Sequence, residues 1–342
     1  MTVNLVEFEA LGGYFETIGG DVFALNGVDL GIEEGKVTGL VGETGSGKTV
    51  ASLTILRLMP ENFRFTGGEV RFRGDNLLTW SEEKMGSFRG KKVSVSFQDP
   101  KAALNPVFTV GEQLGRVYRT HTGATKKEAR AKALQVLDRV QISDPEHTIG
   151  QYAHELSGGM AQRVMIAMSV IYPPELLILD EPTTGLDVTV QEEIIVMLRD
   201  LVTELGITVL LITHDLGVVG ELCDNVAVMY AGRVMEFGPI EDVFERTANP
   251  YTRELLRSTE SVEGGVGDLY SITGAPPDLR ALPDGCYFKP RCPDKEVACD
   301  ETPGLVQIAE RHISMCHFAQ RLVTTPGPLN MQLPPDDGGS SG

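Results

Sequence analysis

Gly42-Glu43-Thr44-Gly45-Ser46-Gly47-Lys48-Thr49 fits the pattern G-x-x-x-x-G-K-S/T, after the apolar run Val37 to Val41 and before the helix-forming stretch Val50 to Leu58. Glycines let successive backbone N–H groups turn onto phosphate oxygens, and the following helix aims its N-terminus at the same anion. In that setting Lys48 reaches the β- and γ-phosphates of a nucleotide, and Thr49 offers a hydroxyl to Mg²⁺. Downstream, Leu176-Leu177-Ile178-Leu179-Asp180-Glu181 is a buried-strand pattern that delivers two acids at its C-terminal end. Alone, such a pair is more often a solvated strand end. Beside a phosphate loop, Asp180 suits the Mg²⁺ shell and Glu181 suits a base that takes a proton from water.

Two further segments carry polar groups at element ends. Leu156-Ser157-Gly158-Gly159-Met160 opens a helical stretch through Val164, Ala167, Met168 and Ile171, and so forms a second anion-facing helix start. Thr213-His214-Asp215 closes the apolar run Ile207 to Ile212 and places an imidazole where a γ-phosphate would lie, although a lone histidine there is more often structural. Met160, Met165 and Met168 read as helix core.

The elements that must position these groups follow from periodicity. Lys36 to Val41, Val93 to Phe97, Leu176 to Leu179 and Ile207 to Ile212 are short, near-continuous apolar runs, as in strands covered on both faces. Ala129, Ala133, Leu134, Leu137 and Val140 recur at helical spacing within Lys126 to Val140. Together they predict an α/β fold with its ligand edge at the strand C-termini.

The 342 residues suffice for two domains, and 42% hydrophobic content supports a real core. With 30 Lys+Arg against 48 Asp+Glu the net charge is −18, a poor basis for holding nucleic acid or anionic lipid directly. No apolar stretch approaches the ~18 residues of a spanning helix, and Met1 to Glu7 lacks the features of a signal peptide, so a cytoplasmic location is expected. Ten of the 19 prolines and four of the five cysteines follow Thr259, which predicts a second module. Glu260 to Gly267 reads as a linker and Pro334 to Gly342 as a tail without fixed structure.

Cys286, Cys292, Cys299 and Cys316 are separated by five, six and sixteen residues, while Cys223 occupies an apolar helical position and is expected to be simply buried. Disulfides are disfavoured in a cytosolic chain, which leaves a metal site or free thiols. Four thiolates suit Zn²⁺ or a 4Fe–4S cluster; the absence of tight C-x₂₋₄-C pairs leans away from zinc, and zinc, a cluster and unmetallated thiols all stay open on spacing alone. So proline-rich a module, with few apolar residues, is expected to draw stability from ligation.

In order and spacing, Gly42 to Thr49, Gln98, Leu156 to Met160, Leu176 to Glu181, Thr184 to Asp187 and His214 resemble the Walker A, Q-loop, signature, Walker B, D-loop and switch-histidine motifs of an ABC-transporter ATPase subunit. The resemblance implies a P-loop ABC cassette, with a RecA-like core and a helical subdomain, followed by a small Cys/Pro-rich domain. The expected boundaries are 1–259 for the nucleotide-binding domain, with the helical subdomain at about 100–172, then 260–325 for the Cys-rich domain and 326–342 for the tail. It further implies that ATP is held by Phe15 (or, less favoured, Tyr14) on the adenine and by Gly42, Thr44, Gly45, Ser46, Gly47, Lys48, Thr49, Val50 and Gln98. Mg²⁺ falls to Thr49, Gln98 and Asp180, the base is Glu181, and His214 contacts the γ-phosphate. Ser157, Gly158, Gly159 and Asp187 would cap the ATP of a second subunit.

Phe97-Gln98-Asp99-Pro100, Leu104-Asn105-Pro106, Met160, Val188-Thr189-Val190-Gln191, Asn249-Pro250-Tyr251-Thr252, Gly274-Ala275-Pro276-Pro277 and Gly285 to Pro293 resemble the oligopeptide/dipeptide importer branch. Ala161, where that branch usually has a basic residue, and Gly185, where alanine is common, depart from its pattern. The branch implies a peripheral protein at the cytoplasmic face of the cell membrane. Its partners would be a second ABC ATPase subunit in a heterodimer, two transmembrane permease subunits and an extracytoplasmic substrate-binding protein, with no nucleic acid. It also implies a 4Fe–4S cluster of structural role on Cys286, Cys292, Cys299 and Cys316. Competing expectations are an ATPase for nickel, glutathione or another small solute, a soluble ABC ATPase, and a half that mainly clamps its partner's ATP.

Overall fold

The chain opens with β1 (Asn4–Phe15), β2 (Val22–Glu33) and β3 (Val37–Val41), followed by β4 (Phe63–Phe72) and the two-residue β5 (Asp75–Asn76). This is a computed structural model, and it describes residues 3–263 and 270–323. β6 (Val93–Ser96), β7 (Leu176–Asp180), β8 (Thr208–Ile212) and β9 (Asn225–Tyr230) complete the strands of the first of two units, which comprises Met1–Val234 and Pro276–Leu282.

Five of these strands are parallel, in the order β9-β3-β8-β7-β6. Every residue of β7 and β8 is buried, as the continuous apolar runs predict for a sheet covered on both faces. The phosphate-loop strand β3 lies between β8 and β9, so a loop leaving its end is flanked by the ends of its neighbours. Four expected strands are found in place. A separate antiparallel sheet, ordered β2-β1-β4-β5, has no counterpart in the expectations.

Within 100–172 the chain is mostly helical, with Pro100–Ala103, Val110–Thr122, Lys126–Arg139, Pro145–Thr148 and Gly158–Val170. Thr109 with Glu112 and Thr125 with Glu128 form capping boxes, each pairing the N-cap amide and one first-turn amide, at the two longest of the first four. The Lys126–Arg139 helix buries Ala129, Ala133 and Leu137 of the expected stripe, and Val136 beside them, while Leu134 is only half-buried. Met165 is buried, whereas Met160 and Met168 are only half-buried.

The second unit comprises Met235–Ala275 and Pro283–Gly342. β10 (Arg233–Pro239), β11 (Val306–Ala309) and β12 (His312–Ser314) form an antiparallel ribbon with β12 in the middle. Buried Glu236 accepts hydrogen bonds from His312 Nε2 at 2.8 Å and from the Ala248 amide at 2.6 Å. Burial raises the Glu236 pKa, and the His312 hydrogen bond pulls it partly back. The expected boundary at 259/260 falls inside the helix Pro250–Glu263, so Glu260 to Glu263 are helical rather than linker. The reason is packing: residues upstream of 260 supply the second unit's core, with Tyr251 against Phe288 at a ring separation of 5.2 Å. The module therefore has more apolar support than its own composition suggests. The remainder of the expected linker and the tail Pro334 to Gly342 lie outside the described residues. Among the described residues, no helix is long and apolar enough to cross a membrane.

Candidate functional site

Four parallel strands end at one edge of the first unit, and each delivers a group that the sequence marked. The loop after β3 carries Gly42 to Thr49, the end of β6 leads to Gln98, β7 ends at Asp180 and Glu181, and β8 leads to His214. Phe15, Thr44, Gly45, Ser46, Gly47, Lys48, Thr49, Val50, Gln98, Glu181 and His214 line a single cleft of about 410 Å³. Phe15, rather than Tyr14, faces it; Tyr14 instead packs on Phe23 at 5.5 Å between ring centres.

Lys48 is 7% exposed, and its ammonium donates to Gly42 O at 2.7 Å and Glu43 O at 3.0 Å, which fixes the charge at the centre of the loop. Burial lowers its pKa, and the nearby carboxylates of Glu181, Asp180 and Glu43 pull in the opposite direction. Thr49 Oγ1 donates to Asp180 Oδ1 at 3.3 Å, joining the helix start to the end of β7. Asp180 is 6% exposed, and burial pushes its carboxyl up while Thr49 and Lys48 resist. Hard oxygens from Thr49, Asp180 and the Gln98 amide fit a small divalent cation that retains water and phosphate ligands.

Glu181 is held from both sides. Gln98 Nε2 and Thr184 Oγ1 donate to its Oε2 at 3.0 and 2.9 Å, and His214 Nδ1 lies 3.2 Å from Oε1. Burial alone would raise this carboxyl, but the hydrogen bonds from Thr184 and His214 and the charge of Lys48 outweigh it and lower the pKa. Its backbone has φ +48°, a region that non-glycine residues occupy at a cost, and its amide donates to Ile212 O at 2.8 Å. The strained turn aims an ionised carboxylate into the cleft.

Ser157, Gly158, Gly159 and Asp187 do not line this cleft. Ser157 Oγ accepts from the Met160 amide at 3.2 Å as the N-cap of the Gly158–Val170 helix, and Asp187 caps the Val188–Leu205 helix through the Val190 amide at 3.0 Å. Sequence reasoning did not single out Thr184 by itself, nor Val22, Ala24 and Leu279, which also line the cleft. Thr184 stood within a noted motif; the other three are ordinary apolar residues that only folding brings here.

In the second unit, Cys286, Cys292, Cys299 and Cys316 form no disulfide and line one small cavity of about 20 Å³. Among the described residues, no three His, Cys, Asp or Glu side chains are grouped closely enough to hold a metal ion. The donor chemistry fits a thiolate-bound group, but the four thiols are not drawn together as a ligand set. Burial pushes Cys292 up to about 12 and Cys316 up to about 11. Cys223 is buried, as expected, and burial raises its thiol too.

Fold and cleft together define a P-loop nucleotide-binding cassette. The ABC transporter family pattern matches residues 25–184, and the pattern for the C-terminal region of oligopeptide/dipeptide transporters matches residues 235–299. The dipeptide transport ATP-binding protein DppD of Bacillus subtilis is 43% identical over 88% of this chain and 91% of its own length. The oligopeptide transport ATP-binding protein OppD of Salmonella typhimurium is 41% identical over 91% of this chain and 93% of its own. Among solved structures, the ATP-binding cassette MJ0796, a dimer in a post-hydrolysis state with ADP and phosphate, superimposes with a TM-score of 0.62 at 27% identity, over 69% of this chain and 98% of that one. The chain belongs to the ATP-binding proteins of the oligopeptide/dipeptide branch of ABC transporters.

Proposed function

We propose that the chain hydrolyses ATP to drive uptake of oligopeptides or dipeptides through a membrane permease. The carrying observation is the convergence of Lys48, Thr49, Gln98, Glu181 and His214 on one cleft at the sheet's ligand edge. Backbone N–H groups of the loop and Lys48 hold the phosphates, and Glu181, ionised at neutral pH, accepts the proton of the attacking water. Thr184 and His214 keep its carboxylate aimed, with His214 beside the γ-phosphate. Thr49, Asp180 and Gln98 would hold Mg²⁺, which supplies charge neutralisation on the phosphates when bound.

Ser157, Gly158 and Gly159, with Asp187, cap the ATP of a second cassette; their exclusion from their own cleft supports this role. The second cassette is a different chain, so the working pair is a heterodimer. Phe97 and Val107, apolar yet 42% and 69% exposed around the Gln98 segment, suit docking of permease subunits and so support a position at the cytoplasmic face of the membrane. An extracytoplasmic binding protein completes the assembly by presenting the peptide.

Cys286, Cys292, Cys299 and Cys316 would hold a 4Fe–4S cluster of structural role. Four cysteines around one cavity support this assignment, and loading requires them to lose protons and draw together. The ATPase assignment is tested with Glu181→Gln. Expected is a fall in phosphate release of about 100-fold or more with ATP affinity retained; undiminished steady-state hydrolysis would remove Glu181 as the base.

A further inference from the structure

The cleft has a polar end and an apolar end. Lys48, Thr49, Gln98, Glu181 and His214 fix where phosphates go, so the base of a nucleotide must extend toward Phe15, Val22, Ala24 and Leu279. Phe15 pairs in register with Val22, and the two-residue period of β2 puts Val22 and Ala24 on one face. Leu279 belongs to neither strand. It comes from Pro276–Leu282, seven residues that belong to the first unit although the chain on both sides of them belongs to the second.

The segment is fixed rather than incidental. The amide of Phe23, on edge strand β2, donates to Leu279 O at 2.9 Å. A turn is closed by the Ala281 amide on Asp278 O at 2.9 Å, and the Asp278 carboxylate accepts from the Arg280 amide at 3.0 Å and from its guanidinium at 2.8 to 3.1 Å. Those bonds to Arg280 hold Asp278 down at about 2, so the clasp persists at any working pH. Leu279 is the turn residue left half-buried in the cleft while its neighbours Asp278 and Arg280 are exposed.

We propose that Leu279 is a nucleobase-binding residue, delivered by a returning loop to complete the apolar wall that Phe15, Val22 and Ala24 begin. The inference rests on the cleft being the ATP site. An aliphatic side chain contacts the base without reading its hydrogen-bonding edge, so adenine and guanine nucleotides gain alike.

The experiment is equilibrium titration of the full chain with ADP, GDP and inorganic tripolyphosphate. Leu279→Ala is expected to weaken ADP and GDP by roughly tenfold, the effect of exposing a partly buried leucine, and to leave tripolyphosphate unchanged. Leu279→Met, which keeps the volume, is expected to restore ADP affinity. Unchanged ADP binding in Leu279→Ala would overturn the assignment, and so would an equal loss for ADP and tripolyphosphate, which means a collapsed loop rather than a lost base contact. Lys48→Ala tests the underlying site separately. If ADP and tripolyphosphate bind Lys48→Ala as well as wild type, the nucleotide does not occupy this cleft and the proposal falls with it.

Discussion

The base proposed at Glu181 requires an ionised carboxylate, and its neighbours decide that. Hydrogen bonds from Thr184 and His214 and the charge of Lys48 hold its pKa below the ordinary glutamate range, against a burial that would raise it. The active, ionised form is therefore complete at neutral pH and is lost only as pH falls through that lowered value. Thr184→Val removes a hydrogen bond to the charged form, so the pKa rises and the acid limb of the hydrolysis rate moves to higher pH. Single-turnover phosphate release between about pH 4 and pH 7 measures this. An unmoved acid limb, with the rate at neutral pH unchanged, would mean that Thr184 does not act on Glu181. Thr184 was legible only as part of a motif, because its role depends on a hydrogen bond of 2.9 Å within a turn.

At the scale of elements, the phosphate loop depends on glycines for two different reasons. Gly47 has φ +101°, and a Cβ there would lie 2.6 Å from Ala24 O, a backbone atom that cannot swing aside. Gly45 has φ +81°, with nothing within 4 Å of the Cβ position. Gly45→Ala thus adds only backbone strain, about 1 kcal/mol or roughly a fivefold loss of ATP affinity. Gly47→Ala adds a clash with β2 and is expected to lose about 100-fold or more, read by the same titration. Equal losses for the two variants would deny that contact between loop and strand. β7 and β8 were readable as near-continuous apolar runs because both of their faces are buried. The antiparallel sheet was not: register shifts between Phe8 and Leu11, around Ala10 at φ +45°, break the alternation that marks a half-buried strand.

For the whole molecule, the notable property is that the chain crosses between its two units more than once. Composition set the second module at 260, whereas the second unit takes residues from Met235 onward and gives Pro276–Leu282 to the first. A cluster in that unit would tie residues 286 to 316 together, so iron loading is expected to protect the segment from proteolysis. Anaerobically purified protein should carry about four irons with matching sulfide, both lost in Cys286→Ser. Zinc, or no metal, would overturn the cluster.

The sequence alone determined the class of protein and named the residues proposed for the phosphate site. Contiguous motifs with fixed local geometry carry that information, since a strand, a glycine loop and a helix start need no distant partner to be recognised. It also determined four of the five parallel strands, β9 excepted, and the Lys126–Arg139 helix, whose periods are local. Tertiary structure decided what lies far apart along the chain: the grip of Thr184, Gln98 and His214 on Glu181, the choice of Phe15 over Tyr14, the meeting of four cysteines around one cavity, and the return of Leu279 to the cleft. Those contacts arise from strand order and chain crossings, and short-range residue patterns do not encode either.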